Sequence, residues 1–397
     1  MIEIIDKTNC CGCGACMNIC PIQCIKMLPD YEGFLYPNVD KNTCVNCGLC
    51  EKACPILNVS EDKSFQQQAY IVQNKDEIIR RQSTSGGAFT AIAKYAINNG
   101  GAVYGVCYSD NFIVKHSRIT EISELYKFRN SKYVQSDIGY TYCQVLKDLK
   151  WGNIVCFSGT PCQIEGLKRF LDKEYENLIT IDFVCHAVPS PLIWNKYLEM
   201  QIEKLNKVPN NILFRDKHYG YKYSTMTFVA DDVNIYSQGV DTDPMLRAYF
   251  SDICDRPSCY NCKFKKRYRM SDFTIWDCFT VNKFDKSYHD DKGTTRMLIH
   301  SSKGRGIFEC VKDDLNYKCV FPDRIVKGVK EMFESVSINA SREDFFADAN
   351  NLSGSLLFNK YFPANLNTKL KHFLRIFCCN IGVYQMLKDI YSVLRKR

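Results

Sequence analysis

The stretch Cys10-Cys11-Gly12-Cys13-Gly14-Ala15-Cys16-Met17-Asn18-Ile19-Cys20-Pro21 is followed, after a spacer, by Cys44-Val45-Asn46-Cys47-Gly48-Leu49-Cys50-Glu51-Lys52-Ala53-Cys54-Pro55. Both copies space their cysteines as C-x2-C-x2-C-x3-C-P. That is the bacterial run that ligates 4Fe-4S clusters, and its fourth cysteine reaches across to the other cluster. The pattern predicts one cluster on Cys10, Cys13, Cys16 and Cys54 and a second on Cys44, Cys47, Cys50 and Cys20. Three thiolates at this spacing fit one tight loop around a cubane, and the Cys-Pro step then starts a helix. Disulfides are disfavoured because residues 1–9 carry Glu3 and Asp6 and lack the apolar run of a signal peptide. Zinc fits poorly, since its four ligands usually come as two separated Cys-x-x-Cys pairs. Cys11 and Cys24 are left over and read as packing thiols.

Outside this run, 397 residues with 46% hydrophobic content suffice for two or three domains with buried cores. The 23 cysteines, in a chain without export features, point to metal and redox chemistry in a reducing cytosol. No apolar stretch is long enough to span a membrane. The net charge of +8 is unevenly placed, because residues 360–397 hold eight basic residues against Asp389 alone. The body is therefore close to neutral, which excludes a nucleic-acid-binding body with its own basic face. Within the tail, Phe373, Ile376, Phe377, Val383, Met386, Leu387, Ile390 and Leu394 recur at near-helical spacing among basic residues. This suits either a docked terminal helix or a helix lying on anionic lipid at the inner face of the membrane. The organisation expected is a ferredoxin-type domain over 1–58, an α/β part over 69–205, a second part over 206–345 and a basic helical tail over 346–397. A polar stretch over 56–68 reads as a linker.

The middle of the chain alternates strand and helix patterns. Strands are predicted over 69–73, 102–107, 154–157 and 178–184, with helices opening after Ser85-Gly86-Gly87, around Tyr142 and after Gly159-Thr160-Pro161-Cys162. The fold class expected is α/β with a mainly parallel sheet, turning to mixed α+β in the C-terminal half, behind a small α+β ferredoxin-like domain. Ligands of open α/β sheets bind beyond the carboxyl ends of the strands, and both Cys162 and Cys185 lie just past such ends. They are candidates for one shared site. The Ser-Gly-Gly stretch allows close approach of a phosphate at a helix N-terminus, or else is an N-cap with glycines for packing. Further on, a hairpin is expected over 223–237, and Cys254, Cys259, Cys262 and Cys278 imitate a plant-type 2Fe-2S or a zinc pattern. The run Lys263, Lys265, Lys266, Arg267 and Arg269 reads as a solvated face or a hold for an anionic cofactor tail.

Taken together, these residues resemble the beta-subunit family of coenzyme F420 hydrogenases and dehydrogenases over roughly residues 69–309. The resemblance rests on Ser85-Gly86-Gly87, Ser131-Lys132-Tyr133, Gly159-Thr160-Pro161-Cys162-Gln163, Val184-Cys185, Arg256-Pro257-Ser258-Cys259-Tyr260-Asn261-Cys262 and Ser271-Asp272-Phe273-Thr274. It implies a flavoprotein that binds FAD and a third 4Fe-4S cluster, the matching cysteines here being Cys162, Cys185, Cys259 and Cys262. Cys254 and Cys278 fall outside that set. Ser85, Gly86, Gly87, Lys132, Tyr133 and Thr160 are the implied flavin-binding positions, and His186 is the best-placed proton donor. Archaeal members exchange a hydride with coenzyme F420. Cys185-His186-Ala187-Val188-Pro189-Ser190 looks like the bacterial branch, where the small redox substrate need not be F420. The reading is an iron-sulfur flavoprotein oxidoreductase working with a ferredoxin or another electron-transfer protein. Its rivals are a non-catalytic relay subunit wiring a partner enzyme and a zinc-stabilised binding protein.

Overall fold

The structure is a computed structural model that describes residues 1–384, 386 and 387. The N-terminal module carries short helices Ala15–Ile19 and Leu49–Lys52, placing Cys16 and Cys50 on helical turns. Between them an antiparallel hairpin pairs β1 (Ile25–Pro29) with β2 (Leu35–Val39).

After the module, eight strands form one mixed sheet: β3 (Gln68–Asn74), β4 (Ala102–Tyr108), β5 (Val114–Ile119), β6 (Val155–Ser158), β7 (Leu178–Phe183), β11 (Phe273–Asp277), β12 (Thr295–Ile299) and β13 (Leu315–Val320). Their order is β13-β3-β12-β11-β7-β6-β4-β5. The α/β class holds, but parallel pairing is confined to β4, β6, β7 and β11. Antiparallel strands flank this centre on both sides. The parallel strands are near-continuous apolar runs because helices cover both faces, as in Val155-Cys156-Phe157 and Ile179 to Ile181. Ser158 pairs with Ile181, so β6 and β7 end side by side at one edge of the sheet. The residues that follow them, Cys162 and Cys185, begin from that edge.

A second, antiparallel sheet holds β8 (Asn211–Asp216), β9 (Thr225–Ala230) and β10 (Val233–Gly239). Helices Pro191–Leu205, Arg342–Asn351 and Gly354–Tyr361 share its core through Trp194, Tyr197, Phe214, Phe228, Phe345 and Phe358. Each such fully buried large side chain stabilises the fold by about 1.5–3 kcal/mol relative to exposure. Residues 342–361 thus belong to the body, and the basic tail expected from residue 346 begins beyond them. Its helix is Leu366–Asn380. Ile390 and Leu394 lie outside the described residues.

The module is built into this core. Phe34 and Tyr36 of the hairpin join the same apolar cluster as Trp194 and Phe346. Arg342 donates twice to the carboxylate of buried Glu32, at 2.6 Å each. The stretch expected to be a linker is tied down as well. Ser60 donates to Glu165 at 2.7 Å, Phe65 meets Tyr268 edge-on, and buried Gln67 shares a hydrogen bond with His300 at 2.9 Å. Polar composition was a poor guide here because its partners lie on the body.

Candidate functional site

Two cavities mark the cysteine runs. One is lined by Cys10, Cys13, Cys16 and Cys54 among other residues. The other is lined by Cys20, Cys44, Cys47 and Cys50 among other residues. Each cavity gathers three cysteines of one run and the last cysteine of the other, so both donor sets fit a cubane. The leftover Cys24 also lines the second cavity, its Sγ 3.4 Å from that of Cys20. The two thiols differ chemically. Burial, followed by the hydrogen bond with Cys20, pushes Cys24 up to about 12. Desolvation opposes ionisation of Cys20 as well, but hydrogen bonds from the Cys24 thiol and nearby backbone N–H groups hold it below the usual thiol range. Cys20 is therefore the more acidic thiol of the pair, and metal binding favours thiolates.

A third group of thiols forms at the sheet edge. Cys162 sits in the first turn of helix Pro161–Leu171, which Thr160 and Gln163 close with a reciprocal capping box. Thr160 Oγ1 lies 3.0 Å from Cys162 Sγ. Cys185 follows β7, and Cys259 and Cys262 come from the 3-10 turn Pro257–Asn261 and its cap. Burial raises the thiols of Cys185, Cys259 and Cys262, and each also feels the charge of Cys162. Cys259 feels Cys185 and Cys262 too. On Cys162 itself the largest cause is a hydrogen bond with Cys11, with burial next. Four thiols from three loops are thus neighbours, and they are the residues that would hold a third cluster. Cys254 and Cys278 do not join them: Cys254 is buried in the core of the second sheet and Cys278 in an apolar cluster with Leu298 and Met332.

Two residues connect this group to the first cavity. Cys11, expected to be a packing thiol, interacts with both Cys13 and Cys162, and the Cys13 contact and burial raise its thiol well above the usual range. Arg256, three residues before Cys259, is fully buried and donates from Nε to the Cys10 carbonyl at 2.8 Å and from Nη2 to Cys10 Sγ at 3.6 Å. Cluster spacing alone identifies neither role, since both depend on contacts between distant segments. Apart from exposed Lys263, the basic run turns inward rather than facing solvent. Lys266 pairs with buried Glu165 at 2.6 Å, Arg269 with buried Asp182 at 3.1 Å, and Lys265 donates to the carbonyls of Cys185 and His186.

His186 Nε2 lies 2.8 Å from Asp252 Oδ1, and its ring meets Tyr249 edge-on. Tyr249 in turn stacks on Tyr133 with centroids 4.4 Å apart. This ring series links the third thiol group to the Ser131-Lys132-Tyr133 loop, which Thr84 joins to the Ser-Gly-Gly loop through Ser131 at 3.0 Å. The glycines there serve packing. A methyl group on Gly86 would lie 2.4 Å from the Val72 carbonyl, while its N–H donates to Thr295 Oγ1, which also bonds Ser85. Gly87 caps helix Ala88–Asn98. Three basic residues stand at or beside these loops: Lys132 donates to the Arg129 and Asn130 carbonyls, Lys217 to the Arg80, Ser85 and Lys292 carbonyls, and Arg215 pairs with Asp277. Burial pushes Lys132 down to about 8 and Lys217 down to about 7. Arg215 bonds Tyr133 and Asp277 at 3.0 Å each, and its Nη2 is buried without a partner. That orphan donor fits an anionic group such as a flavin diphosphate better than the glycine loop does. Lys132, Arg215 and Lys217 are separated in sequence, so only Lys132 was legible beforehand.

The grouping of the eight ferredoxin-type cysteines suits iron-sulfur electron transfer. Residues 152–320 match the family model that describes the C terminus of the coenzyme F420 hydrogenase/dehydrogenase beta subunit, and residues 9–57 match the 4Fe-4S dicluster domain. The chain thus carries one stretch similar to a dicluster module and another similar to the C terminus of that beta subunit. A solved chain from the F420-reducing [NiFe] hydrogenase complex of Methanosarcina barkeri is similar at 15% identity and a TM-score of 0.45, covering 77% of this chain and 94% of that one. No curated protein matches.

Proposed function

We propose that the chain is a flavin-dependent iron-sulfur oxidoreductase that exchanges electrons between a small redox substrate and a partner protein. Clusters supply single-electron transfer, and a flavin supplies the switch to two-electron hydride chemistry. The observation that carries this reading is the convergence of Cys162, Cys185, Cys259 and Cys262 next to His186, with Cys11 bridging toward the first cavity. Lys132, Arg215 and Lys217 would hold the anionic part of the flavin, and Tyr133 and Tyr249 would wall its ring system. His186, oriented by Asp252, would hold or deliver a proton. The substrate is coenzyme F420 or another hydride carrier.

At the opposite end, Cys47 is exposed and Ile22, Val45 and Leu49 are exposed around the second cavity. This apolar, cluster-lined surface is where a ferredoxin or a larger partner complex would dock. The tail helix supports peripheral attachment to a membrane. Leu366, Leu370, Phe373, Leu374 and Phe377 are all exposed, while Arg375 pairs with Asp241 and covers the Tyr223 ring. The helix is thus held to the body by its polar side. No helix of the described residues is long and apolar enough to cross a membrane.

One observation favours the relay reading, namely that Ser85 Oγ and the Gly86 N–H are already satisfied by Thr295. Analysis of the anaerobically purified chain separates the two. The flavoprotein reading expects about twelve irons and one FAD released on denaturation. Iron at that level, with no FAD bound even after its addition, leaves the relay. Replacing Cys162, Cys185, Cys259 or Cys262 with Ala should lower iron toward about eight, whereas Cys254→Ala and Cys278→Ala should not.

A further inference from the structure

Arg256 is a buried cation lacking an ordinary counter-charge. It is 1% exposed, and its donors reach the carbonyls of Cys10 and Leu35 and the sulfur of Cys10. Its guanidinium lies 4.2 Å from the centre of the Tyr36 ring, Nη1 has no partner, and among the described residues it forms no ion pair with a carboxylate. The ligand loop is shaped around it: a methyl group on Gly12 would lie 2.9 Å from the guanidinium carbon, and Gly12 has φ +69°. Burying an unpaired cation is costly, so the fold must supply negative charge when the site is complete. A tetrathiolate cubane carries that charge, and the cysteines nearest Arg256 belong to two different groups, Cys10 and Cys11 on one side and Cys259 on the other.

We infer that Arg256 is the internal counter-ion of the cluster held by Cys10, a positioning residue sent from the third site's own loop that raises the first cluster's reduction potential. A fixed positive charge at a ligand sulfur favours the more negative, reduced form, and an N–H donor to that sulfur acts in the same direction. The side chain takes up neither electron nor proton, because a guanidinium stays charged. The placement also makes the effect local: Arg256 donates to Cys10, which lines the first cavity and not the second, around Cys20 and Cys47.

This inference rests on the proposed ligand role of Cys10, and the test keeps the two apart. Iron content and EPR-monitored reductive titrations are compared for the full chain, R256M, R256K and C10A, all prepared anaerobically. The expected result is wild-type iron in R256M with one midpoint moved to lower potential, and a midpoint in R256K that stays near wild type because the charge remains. Unmoved midpoints in an iron-replete R256M overturn the role of Arg256. Should R256M lose iron, R256K decides. Retained iron and midpoint there support a counter-ion, while the same loss in R256K marks Arg256 as only a clamp and overturns the proposal. Unchanged iron in C10A would overturn the ligand assignment itself, a result distinct from any of these.

Discussion

Gly166 faces Cys13 so closely that a methyl group on the glycine would lie 2.9 Å from both Cβ and Sγ of the cysteine. The ligand loop of the first cavity therefore rests directly on the helix whose first turn carries Cys162. In an exposed helix, Gly→Ala stabilises by about 1 kcal/mol. Here the overpacking cost of about 1–3 kcal/mol should exceed it, because a buried ligand loop has little room to give. Gly166→Ala is expected to lower the melting temperature and to remove up to about four irons per chain. A variant with wild-type iron and a raised melting temperature would show that the contact yields freely.

Acid should weaken the body through two buried histidines. Burial pushes His116 down to about 4, and burial followed by the charges of Arg269 and Arg267 pushes His300 down to about 3. His116 Nε2 donates to the Ser158 carbonyl at 3.2 Å, and its Nδ1 accepts from Ser136 at 3.1 Å, an arrangement that needs the neutral ring. Below the ordinary value of about 6.5 the unfolded chain binds protons that the folded chain refuses. Stability is therefore complete above about pH 6.5 and declines as pH falls toward the folded values. At pH 5.5 each histidine should account for a loss of about 1.4 kcal/mol. Urea unfolding at pH 7.5 and 5.5, with iron checked at both, should show a smaller acid loss in His116→Gln by roughly that amount. An identical acid loss in the variant would exclude His116 as a contributor.

What could be read in advance follows the range of the interactions. The eight ferredoxin-type cysteines are set by spacing within two short loops, so their grouping was legible, including the crossing of Cys20 and Cys54 into opposite cavities. Strands β6 and β7 were legible because both faces are buried. Edge strands β5 and β13 were missed: Val114-Lys115-His116-Ser117-Arg118-Ile119 is charged, and Leu315–Val320 exposes most of its residues, which leaves little apolar signal. The antiparallel pairing of β12 with β3 and β11 also escaped notice, since it joins segments distant in sequence. Lys266 and Arg269 looked like solvent-facing charge, and Arg256 drew no reading of its own, because their partners, Glu165, Asp182 and Cys10, are distant in sequence. The Ser-Gly-Gly loop admitted two readings, and its hydrogen bonds to Thr295 favour packing.

The tail offers the last test. In helix Leu366–Asn380 the exposed residues Leu366, Leu370, Phe373, Leu374 and Phe377 fall on one stripe, while Arg375 and His372 turn to Asp241, Tyr223 and Thr242 on the body. A terminal helix docked for stability alone would turn its apolar stripe inward. Residues 366–397 also carry seven basic residues against Asp389 alone, and each cation near an anionic bilayer contributes about 1 kcal/mol of attraction. The full chain should therefore cosediment with phosphatidylserine-containing vesicles, less so at high salt, and hardly at all with purely zwitterionic ones. Deleting residues 366–397 should abolish binding while leaving iron unchanged. Leu370→Ser with Phe373→Ser and Phe377→Ser should weaken it with the charge intact, which distinguishes insertion of the stripe from attraction alone. Cosedimentation that survives the deletion would discard the membrane, and a loss of self-association in the triple variant, without any vesicle binding in the wild type, would assign the stripe to a second copy of the chain.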